Sequence, residues 1–342
     1  MTEPPAATMR AIVQERYGPP DVLELRQIPR PEPGPGELLV RVRAAGVNPL
    51  DWHLVTGLPL IARGSMGMRR PKQPFVGVDL AGVVQAVGGG VTRFQVGDEV
   101  FGSGIGTFAD HARAREGELA AKPPSLSFEE AAAIPVAAIT ALQALQEHGR
   151  LRTGQTALIN GASGGVGLFA VQIAKHLGAE VTGVCSAGNA DLVRSMGADH
   201  VVDYAVENFT RAGRRYDLIL DNAGNLSLTA LRRALTPRGT LISNSGSGEG
   251  RWLGPLGRIA KVKAAAPFVS QRLVFFVAKV NGADLHLLRD LADAGALQVA
   301  IERTYRLEET AAAVRHVGDG HVRGKLVVTL ADLQPEPKAV SA

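Results

Sequence analysis

The pattern of apolar and polar residues divides the chain into two kinds of sequence. Between Met9 and about Ala132, short apolar segments separated by turns predict β-strands at residues 10–14, 38–45, 81–87 and 99–102. From Pro135, helical segments alternate with apolar strands predicted at residues 157–160, 181–185, 200–202, 218–221 and 240–243. Such alternation is typical of a parallel sheet covered by helices on both faces. The fold class predicted is therefore α/β, with a doubly wound parallel sheet beside a β-rich region.

The last part of the chain returns to the β-rich texture. After an apolar run at residues 272–278, a helix is expected at 284–294 and short strands at 304–307 and 325–330. We therefore expect a sheet domain (135–282) inserted into a β-rich domain (1–134 and 283–342), with residues 334–342 as a disordered tail. The run at 272–278 fits a sheet edge, and an exposed edge favours pairing with a second copy in a homodimer.

The strongest local motif is the apolar strand that runs into a glycine turn at residues 156–167 and then into a helix at 168–177. Its residues are those of a pyrophosphate seat, because a tight turn and a close backbone approach exclude bulky side chains. Phosphate then binds free N–H groups at the start of the helix. The predicted cofactor-binding residues of the turn are Gly161, Ser163, Gly164, Gly165, Val166 and Gly167.

Composition narrows the function classes. The chain has 342 residues, of which 45% are hydrophobic and 20% charged, as in a soluble protein of about two domains. It shows neither a membrane-spanning run nor a signal peptide, so a cytoplasmic location and no membrane partner are expected. The basic residues behind the net charge of +4 are scattered, which argues against nucleic acid. The single cysteine, Cys185, lies in a predicted buried strand and is expected to pack as a small hydrophobe.

Several separated motifs resemble the medium-chain dehydrogenase/reductase superfamily, and within it the zinc-free quinone oxidoreductase and enone reductase branch. They are Ala-Gly-Val-Asn-Pro-Leu-Asp at 45–51, the segments 77–84 and 93–102, the glycine turn, and the closing Gly-Lys-Leu-Val-Val at 324–328. The resemblance spans nearly the whole chain. It implies a Rossmann sheet inserted into a β-rich GroES-like catalytic domain.

The departures from the zinc alcohol dehydrogenases of that superfamily predict a metal-free site. Asn48 stands where those enzymes place a zinc-binding cysteine, and Val78 and Asp79 stand where they carry His-Glu. Asparagine and valine cannot replace thiolate and imidazole as ligands, so no metal is expected.

The residue at the end of the second predicted sheet strand favours NADPH over NADH. A site that prefers NADH usually carries Asp or Glu there, whereas this chain has Cys185 and then Ser186. The resemblance further implies that Lys175 and Tyr204 contact the 2′-phosphate, with Asn189 completing the polar lining. Each has an alternative: an exposed helix lysine for Lys175 and a half-buried core aromatic for Tyr204. Arg194 is equally compatible with a phosphate contact and a solvated helix position.

The resemblance also implies where the nicotinamide lies. It places Asn48 and Thr140 beside the ring, with Asn222 and Ser243 at the carboxyl ends of two sheet strands, where ligands of open α/β sheets collect. Asn48 is alternatively a turn residue before Pro49.

The catalytic residues predicted are Asn48, Asp51 and His53. Related reductases often carry a tyrosine two residues after the motif aspartate Asp51, whereas this chain has Trp52 and then His53. His53 is either a proton donor or a packing residue. The segment 58–68 mixes apolar and flexible residues and is either a substrate lid or an anchored surface loop.

These observations predict a zinc-independent NADPH oxidoreductase that transfers hydride to a hydrophobic quinone or α,β-unsaturated carbonyl. Two alternatives stay open from the sequence. One is a metal-free NAD(P)-dependent alcohol or ketone oxidoreductase, and the other is an NADPH-binding module without turnover.

Overall fold

The computed structural model describes residues 7–244 and 256–330. In them, the strands are β1 (Thr8–Val13), β2 (Glu24–Pro29), β3 (Glu37–Val47), β4 (Asp79–Val87), β5 (Glu99–Ser103), β6 (His111–Arg115), β7 (Leu119–Ala121), β8 (Thr156–Asn160), β9 (Glu180–Cys185), β10 (His200–Asp203), β11 (Tyr216–Asp221), β12 (Leu235–Ser243), β13 (Arg272–Phe275), β14 (Ile301–Arg306) and β15 (Lys325–Thr329). The helices are α1 (Pro49–Thr56), α2 (Arg63–Met66), α3 (Phe128–Ala132), α4 (Pro135–Leu142), α5 (Gly165–His176), α6 (Ala190–Ser195), α7 (Leu228–Arg233), α8 (Leu256–Ala265), α9 (Gly282–Asp293) and α10 (Thr310–Gly318). A π-helical segment, Gln143–His148, continues α4.

Six parallel strands form the central sheet in the order β10-β9-β8-β11-β12-β13. Ala157, Leu158 and Ile159 of β8 are fully buried, as expected for a strand with helices on both faces. The chain order reverses between β8 and β11, so their carboxyl ends border a crevice. In doubly wound sheets such a crevice receives the ligand.

The second sheet has seven strands, drawn from residues 37–121 and 301–329, while β1 and β2 form a separate two-stranded sheet. The order of the seven-stranded sheet is β14-β15-β3-β4-β5-β7, with β6 also pairing with β3. The closing strand β15 runs antiparallel to β3, with Leu326 opposite Val47. This is the expected architecture, since the strands at the end of the chain complete the β-rich sheet. The domain boundaries stay predictions, because one apolar core runs from Ala44 and Phe101 through Ile134 into the central sheet.

The differences from the predicted elements lie mainly at strand ends and edges. β2, β6 and β7 were not expected from the sequence, and the strand predicted for 304–307 begins at Ile301. The run predicted at 272–278 ends at Phe275. Beyond it, Lys279 pairs through its backbone with the Gln143 side chain instead of a strand. β13 does lie at the edge of the central sheet, and the predicted tail at 334–342 is outside the described residues.

Two further expectations concern location and the segment at 58–68. Within the parts of the chain described, no helix combines the length and apolar character required to cross a membrane.

The segment at 58–68 forms a short 3-10 turn, Leu60–Ala62, followed by α2. Ile61 and Met68 in it are 52% and 72% exposed, so these two apolar side chains do not anchor the segment to the core.

Candidate active site

The glycine turn between β8 and α5 is shaped by backbone contacts. Gly161 has a φ of 78°, which favours glycine, and a Cβ on Gly167 would lie 2.1 Å from the Gly161 carbonyl oxygen. Gly164 is the N-cap of α5, so the helix begins at Gly165, three residues before the predicted start. The first-turn N–H groups of a helix have no acceptor within the helix. The turn therefore presents amides to an anion and leaves no room for side chains at its closest approach.

Polar groups without partners face the same edge of the central sheet. Nδ2 of Asn222, which follows β11, and Oγ of Ser243, at the end of β12, are buried and have no hydrogen-bond partner among the residues that the structure describes. Buried polar atoms are normally satisfied. Nδ2 of Asn222 and Oγ of Ser243, together with the turn amides, fit a polar ligand such as a dinucleotide lying across the carboxyl ends of β8, β11 and β12.

A second polar group surrounds the carboxyl end of β9. Nδ2 of Asn189 donates to Oγ of Ser163 at 3.1 Å and to Oγ of Ser186 at 3.3 Å. Tyr204 begins the loop after β10, where its N–H donates to the Cys185 carbonyl at 3.2 Å, and its side chain is 58% exposed. The structure thus brings Ser163, Ser186 and Asn189 together and places the backbone of Tyr204 next to Cys185, while the 2′-phosphate contact of these residues stays a prediction.

Lys175 does not lie in this group, so the prediction that it contacts the 2′-phosphate is wrong. Helix α5 runs back against the strands, so Lys175 in its last turn lies at the amino edge of the sheet. There its Nζ binds both carboxylate oxygens of Asp199 at 2.8 Å, and Asp199 also accepts from the N–H of Val181 near the start of β9. Four residues of extended strand, about 13 Å, separate Val181 from Cys185.

Arg194 lies nearer to the carboxyl end of β9. Burial and the charge of Asp203, on the adjacent strand β10, raise the pKa of the Cys185 thiol, and the charge of Arg194 opposes that rise. Arg194 lies on α6, which begins five residues after β9 ends. It also binds the exposed carboxylate of Asp191 at 3.0 Å.

Asn48 belongs to a buried polar cluster at the start of α1, which we call the junction cluster: Asn48, Asp51, Asp79 and Lys325. These side chains are at most 5% exposed. Nδ2 of Asn48 donates to Oδ2 of Asp79 at 2.8 Å, and Nζ of Lys325 donates to Oδ1 of Asn48 at 2.5 Å. The N–H of Asn48 donates to Oδ2 of Asp51 at 2.8 Å, which caps the helix. The cluster thereby joins α1, β4 and β15.

The carboxyl groups of the junction cluster have unusual pKa values. Burial raises the pKa of Asp51 to about 7; the N–H of Asn48 and the charge of Lys325 oppose the rise, while the Asp79 charge adds to it. Burial also raises the pKa of Asp79 to about 6, against the charge of Lys325 and the hydrogen bonds from Asn48 and Val136. Burial lowers the pKa of Lys325, and both carboxylates oppose that fall. Shifted pKa values of this kind are frequent at functional sites.

Helix α4 is tied to the same cluster. The N–H of Val136 donates to Oδ1 of Asp79 at 3.1 Å, and Oγ1 of Thr140 donates to the Val136 carbonyl at 2.6 Å. Thr140 is thus linked to Asp79 through Val136. Its predicted place beside a nicotinamide stays a prediction.

His53 lies on α1, one turn beyond Asn48. Its Nδ1 is 2.8 Å from the Leu58 carbonyl oxygen, which can only accept, so Nδ1 carries a proton and Nε2 is the free ring nitrogen. A neutral His53 can therefore accept a proton at Nε2, and only its imidazolium can donate one there. The contact also fixes the beginning of the segment at 58–68.

Asp79 and Lys325 lie within motifs of the sequence, but neither has a role among the predicted site residues. A signal was present, because each is an ionisable residue at the start of an otherwise apolar strand, β4 and β15. Buried charges are normally paired. Asp79 and Lys325 are 246 residues apart in the sequence, so the sequence alone could not show that they lie in one cluster.

The chain is similar to known proteins over nearly its whole length. Residues 34–124 match the alcohol dehydrogenase GroES-like domain and residues 196–328 match the zinc-binding dehydrogenase family. The mitochondrial NAD(P)H oxidoreductase RTN4IP1 of Mus musculus is 34% identical, covering 95% of this chain and 90% of the relative. The chloroplastic quinone oxidoreductase QR1 of Triphysaria versicolor is 33% identical, covering 94% and 98%.

A solved structure agrees with these relatives. The quinone oxidoreductase from Coxiella burnetii superposes with a TM-score of 0.82 at 29% identity, covering 95% of this chain and 100% of that one. The cytoplasmic location expected from the sequence stays a prediction. The chain belongs to the medium-chain dehydrogenase/reductase superfamily, in its quinone oxidoreductase branch.

Proposed function

We propose that this protein is a metal-independent NADPH reductase of quinones or α,β-unsaturated carbonyls. The observation that carries the proposal is the position of the glycine turn, with the orphaned Asn222 and Ser243 groups, next to the junction cluster. Contact between the two is direct, because the N–H of Gly324, the residue before Lys325, donates to the Ser163 carbonyl at 2.9 Å.

The dinucleotide, when bound, supplies the hydride. The amides of α5 hold its pyrophosphate, and Asn222 and Ser243 provide polar contacts along the sheet edge. Nδ2 of Asn48 has a second hydrogen beyond the one that Asp79 accepts. That N–H is a fixed donor for the oxygen of an acceptor on which negative charge develops. His53, when protonated, is the proton donor of the proposal.

Metal independence is supported by the contacts of Asn48. An ammonium group, Lys325 Nζ, already donates to Oδ1 of Asn48, the atom that would have to bind a metal. It also lies 4.0 Å from Oδ2 of Asp79. A divalent cation beside these oxygens would be repelled by the ammonium. Added zinc is expected to leave activity unchanged after chelator treatment.

A panel of quinones and enones tests the reaction. Oxidation of NADPH is followed by its absorbance, and the products are analysed. A saturated ketone indicates two-electron reduction of the carbon–carbon double bond, whereas a semiquinone signal indicates one-electron quinone reduction. Tight NADPH binding without oxidation across the panel would contradict the proposal in favour of a binding module. Turnover with simple alcohols or ketones alone would favour the other alternative.

The NADPH preference rests on the residues around Cys185. No carboxylate ends β9 itself, although Asp203 lies opposite Cys185 on β10, and Ser186, Asn189 and Arg194 offer donors to a 2′-phosphate. Replacing Arg194→Gln should weaken NADPH binding about tenfold while leaving NADH binding unchanged. Lys175→Gln is the matched control, because this cation lies at the other edge of the sheet. Equal losses for both cofactors in Arg194→Gln would disprove the assignment.

The homodimer is also part of the proposal. β13 is an edge strand, and Phe268 and Val277 on either side of it are 87% and 76% exposed. No described strand pairs with the outer side of β13, and apolar side chains beside such an edge favour pairing with a second copy. Sedimentation at micromolar concentration should show a dimer, and a monomer would contradict it.

A further inference from the structure

The side chain of Lys325 connects the glycine turn with the junction cluster. A Cβ built on Gly165 would lie 2.9 Å from Cδ of Lys325 and 3.2 Å from the Gly324 carbonyl oxygen. The missing side chain of Gly165 therefore leaves space for the methylene chain of Lys325. The sequence assigned Gly165 to the cofactor alone, whereas here it also admits the lysine.

At its far end, Lys325 fixes the orientation of the Asn48 amide. Its Nζ donates to Oδ1 of Asn48 and, at 3.1 Å, to the Val47 carbonyl, while Nδ2 of Asn48 donates to Asp79. A flipped amide would place its NH2 group against the ammonium and its oxygen against the carboxylate. Both contacts would then be repulsive, so the amide has one favourable orientation.

Charge balance makes this arrangement depend on Asp79. Lys325 acts electrostatically on both Asp79 and Asp51, and Asp79 acts on Asp51, while Asn48 and the Val136 N–H contribute hydrogen bonds. One ammonium balances one carboxylate, so the buried cluster is neutral when Asp79 is ionised and Asp51 holds a proton. Protonation of Asp79 would weaken both its bond to Asn48 and its attraction for Lys325.

We propose that Lys325 is a positioning residue for hydride transfer, which holds the Asn48 amide at a fixed place relative to the nucleotide turn while Asp79 is ionised. Lys325 acts through Asn48 and through its contact with Gly165. The proposal rests on the reductase function proposed above. It predicts that turnover falls as Asp79 becomes protonated.

The first test compares Lys325→Met with Lys325→Arg. In the enzyme without cofactor, infrared titration of the buried carboxyl C=O band should show Asp79 protonated at higher pH in Lys325→Met, because the lysine charge holds its pKa down. With NADPH and a quinone, kcat should fall about tenfold. The fall of kcat at low pH, which we call the acid limb of the pH profile, should move to higher pH by about one pH unit. The NADPH Kd should change by less than about threefold. Lys325→Arg keeps the charge and should keep the limb near its wild-type position.

A double variant covers the case in which Lys325→Met does not fold. Asp79→Asn/Lys325→Met removes both charges together, which is tolerated better than breaking a buried pair. It should fold, retain NADPH binding, turn over slowly and lack the acid limb. An acid limb that persists in this variant, or a carboxyl band and limb that do not move in folded Lys325→Met, would overturn the proposal.

The failure of the proposed function gives a different result. A wild-type protein that reduces no acceptor contradicts the reductase function. In that case the emission of bound NADPH still reports how the nicotinamide is held. Positioning predicts that this emission changes in Lys325→Met, and an unchanged emission together with an unmoved infrared band contradicts it.

Discussion

The glycine turn and the junction cluster lie side by side, yet different forces determine them. The turn is set by backbone geometry over seven consecutive residues, in which Gly161 adopts a positive φ and Gly167 touches the Gly161 carbonyl. The junction cluster is set by side chains from three separate elements, with Asn48 and Lys325 277 residues apart. One site therefore depends on the absence of side chains and the other on their presence.

This difference decides how each region responds to change. A close backbone contact cannot relax without moving the chain, so a single methyl group in the turn has a large effect. A buried charge cluster can exchange a proton with solvent, so its properties change with pH. Cofactor seating should therefore vary little with pH, whereas the junction cluster should respond near neutrality.

The largest effect is expected at Gly167. In Gly167→Ala the new Cβ would lie 2.1 Å from the Gly161 carbonyl oxygen, so the turn must open. NADPH Kd should rise at least about 100-fold, with a loss of about 1–3 kcal/mol in the free energy of unfolding. Gly89→Ala, in the turn after β4, is the control, because a Cβ built there would meet no atom within 4 Å. Similar NADPH titration curves for the two variants would show that the turn is not determined by this contact.

The same contrast explains what could be predicted from sequence. The strands β8, β9 and β11 are continuous apolar runs, and the turn is a local motif, so both were predicted with small errors at their ends. The short strands β2, β6 and β7 carry mixed polar residues and depend on partners elsewhere in the chain. Lys175 was misplaced because helical position alone does not show which edge of the sheet a side chain reaches. The roles of Asp79 and Lys325 required the tertiary structure.

An intermediate effect is expected at His53, which lies on α1 near the junction cluster. His53→Asn can keep a donor to the Leu58 carbonyl but lacks Nε2, whereas His53→Ala loses both groups. If Nε2 transfers the proton, both variants should lower kcat by at least about tenfold with little change in NADPH Kd. Stopped-flow measurement of NADPH oxidation checks this. Normal turnover in His53→Asn together with slow turnover in His53→Ala would instead make His53 an anchor for the segment at 58–68.

The prediction that isolates the junction cluster concerns the stability of Asp51→Asn and its change with pH. Because burial raises the pKa of Asp51 to about 7 from an ordinary value of 3.8, the folded state binds more protons than the unfolded state between these pH values. The contribution of Asp51 to stability is therefore fully present below about pH 4 and is lost as pH rises through about 7.

Asp51→Asn keeps an oxygen to accept from the Asn48 N–H and cannot ionise. It should match wild type near pH 4 and exceed its unfolding free energy by on the order of 1–3 kcal/mol at pH 8. Urea unfolding across this range measures the difference, and the exposed Asp319→Asn serves as control because it should show no such trend. A difference that stays constant with pH would mean that Asp51 is ionised throughout. The junction cluster would then carry a net negative charge in the folded protein, and its proposed neutral state would be wrong.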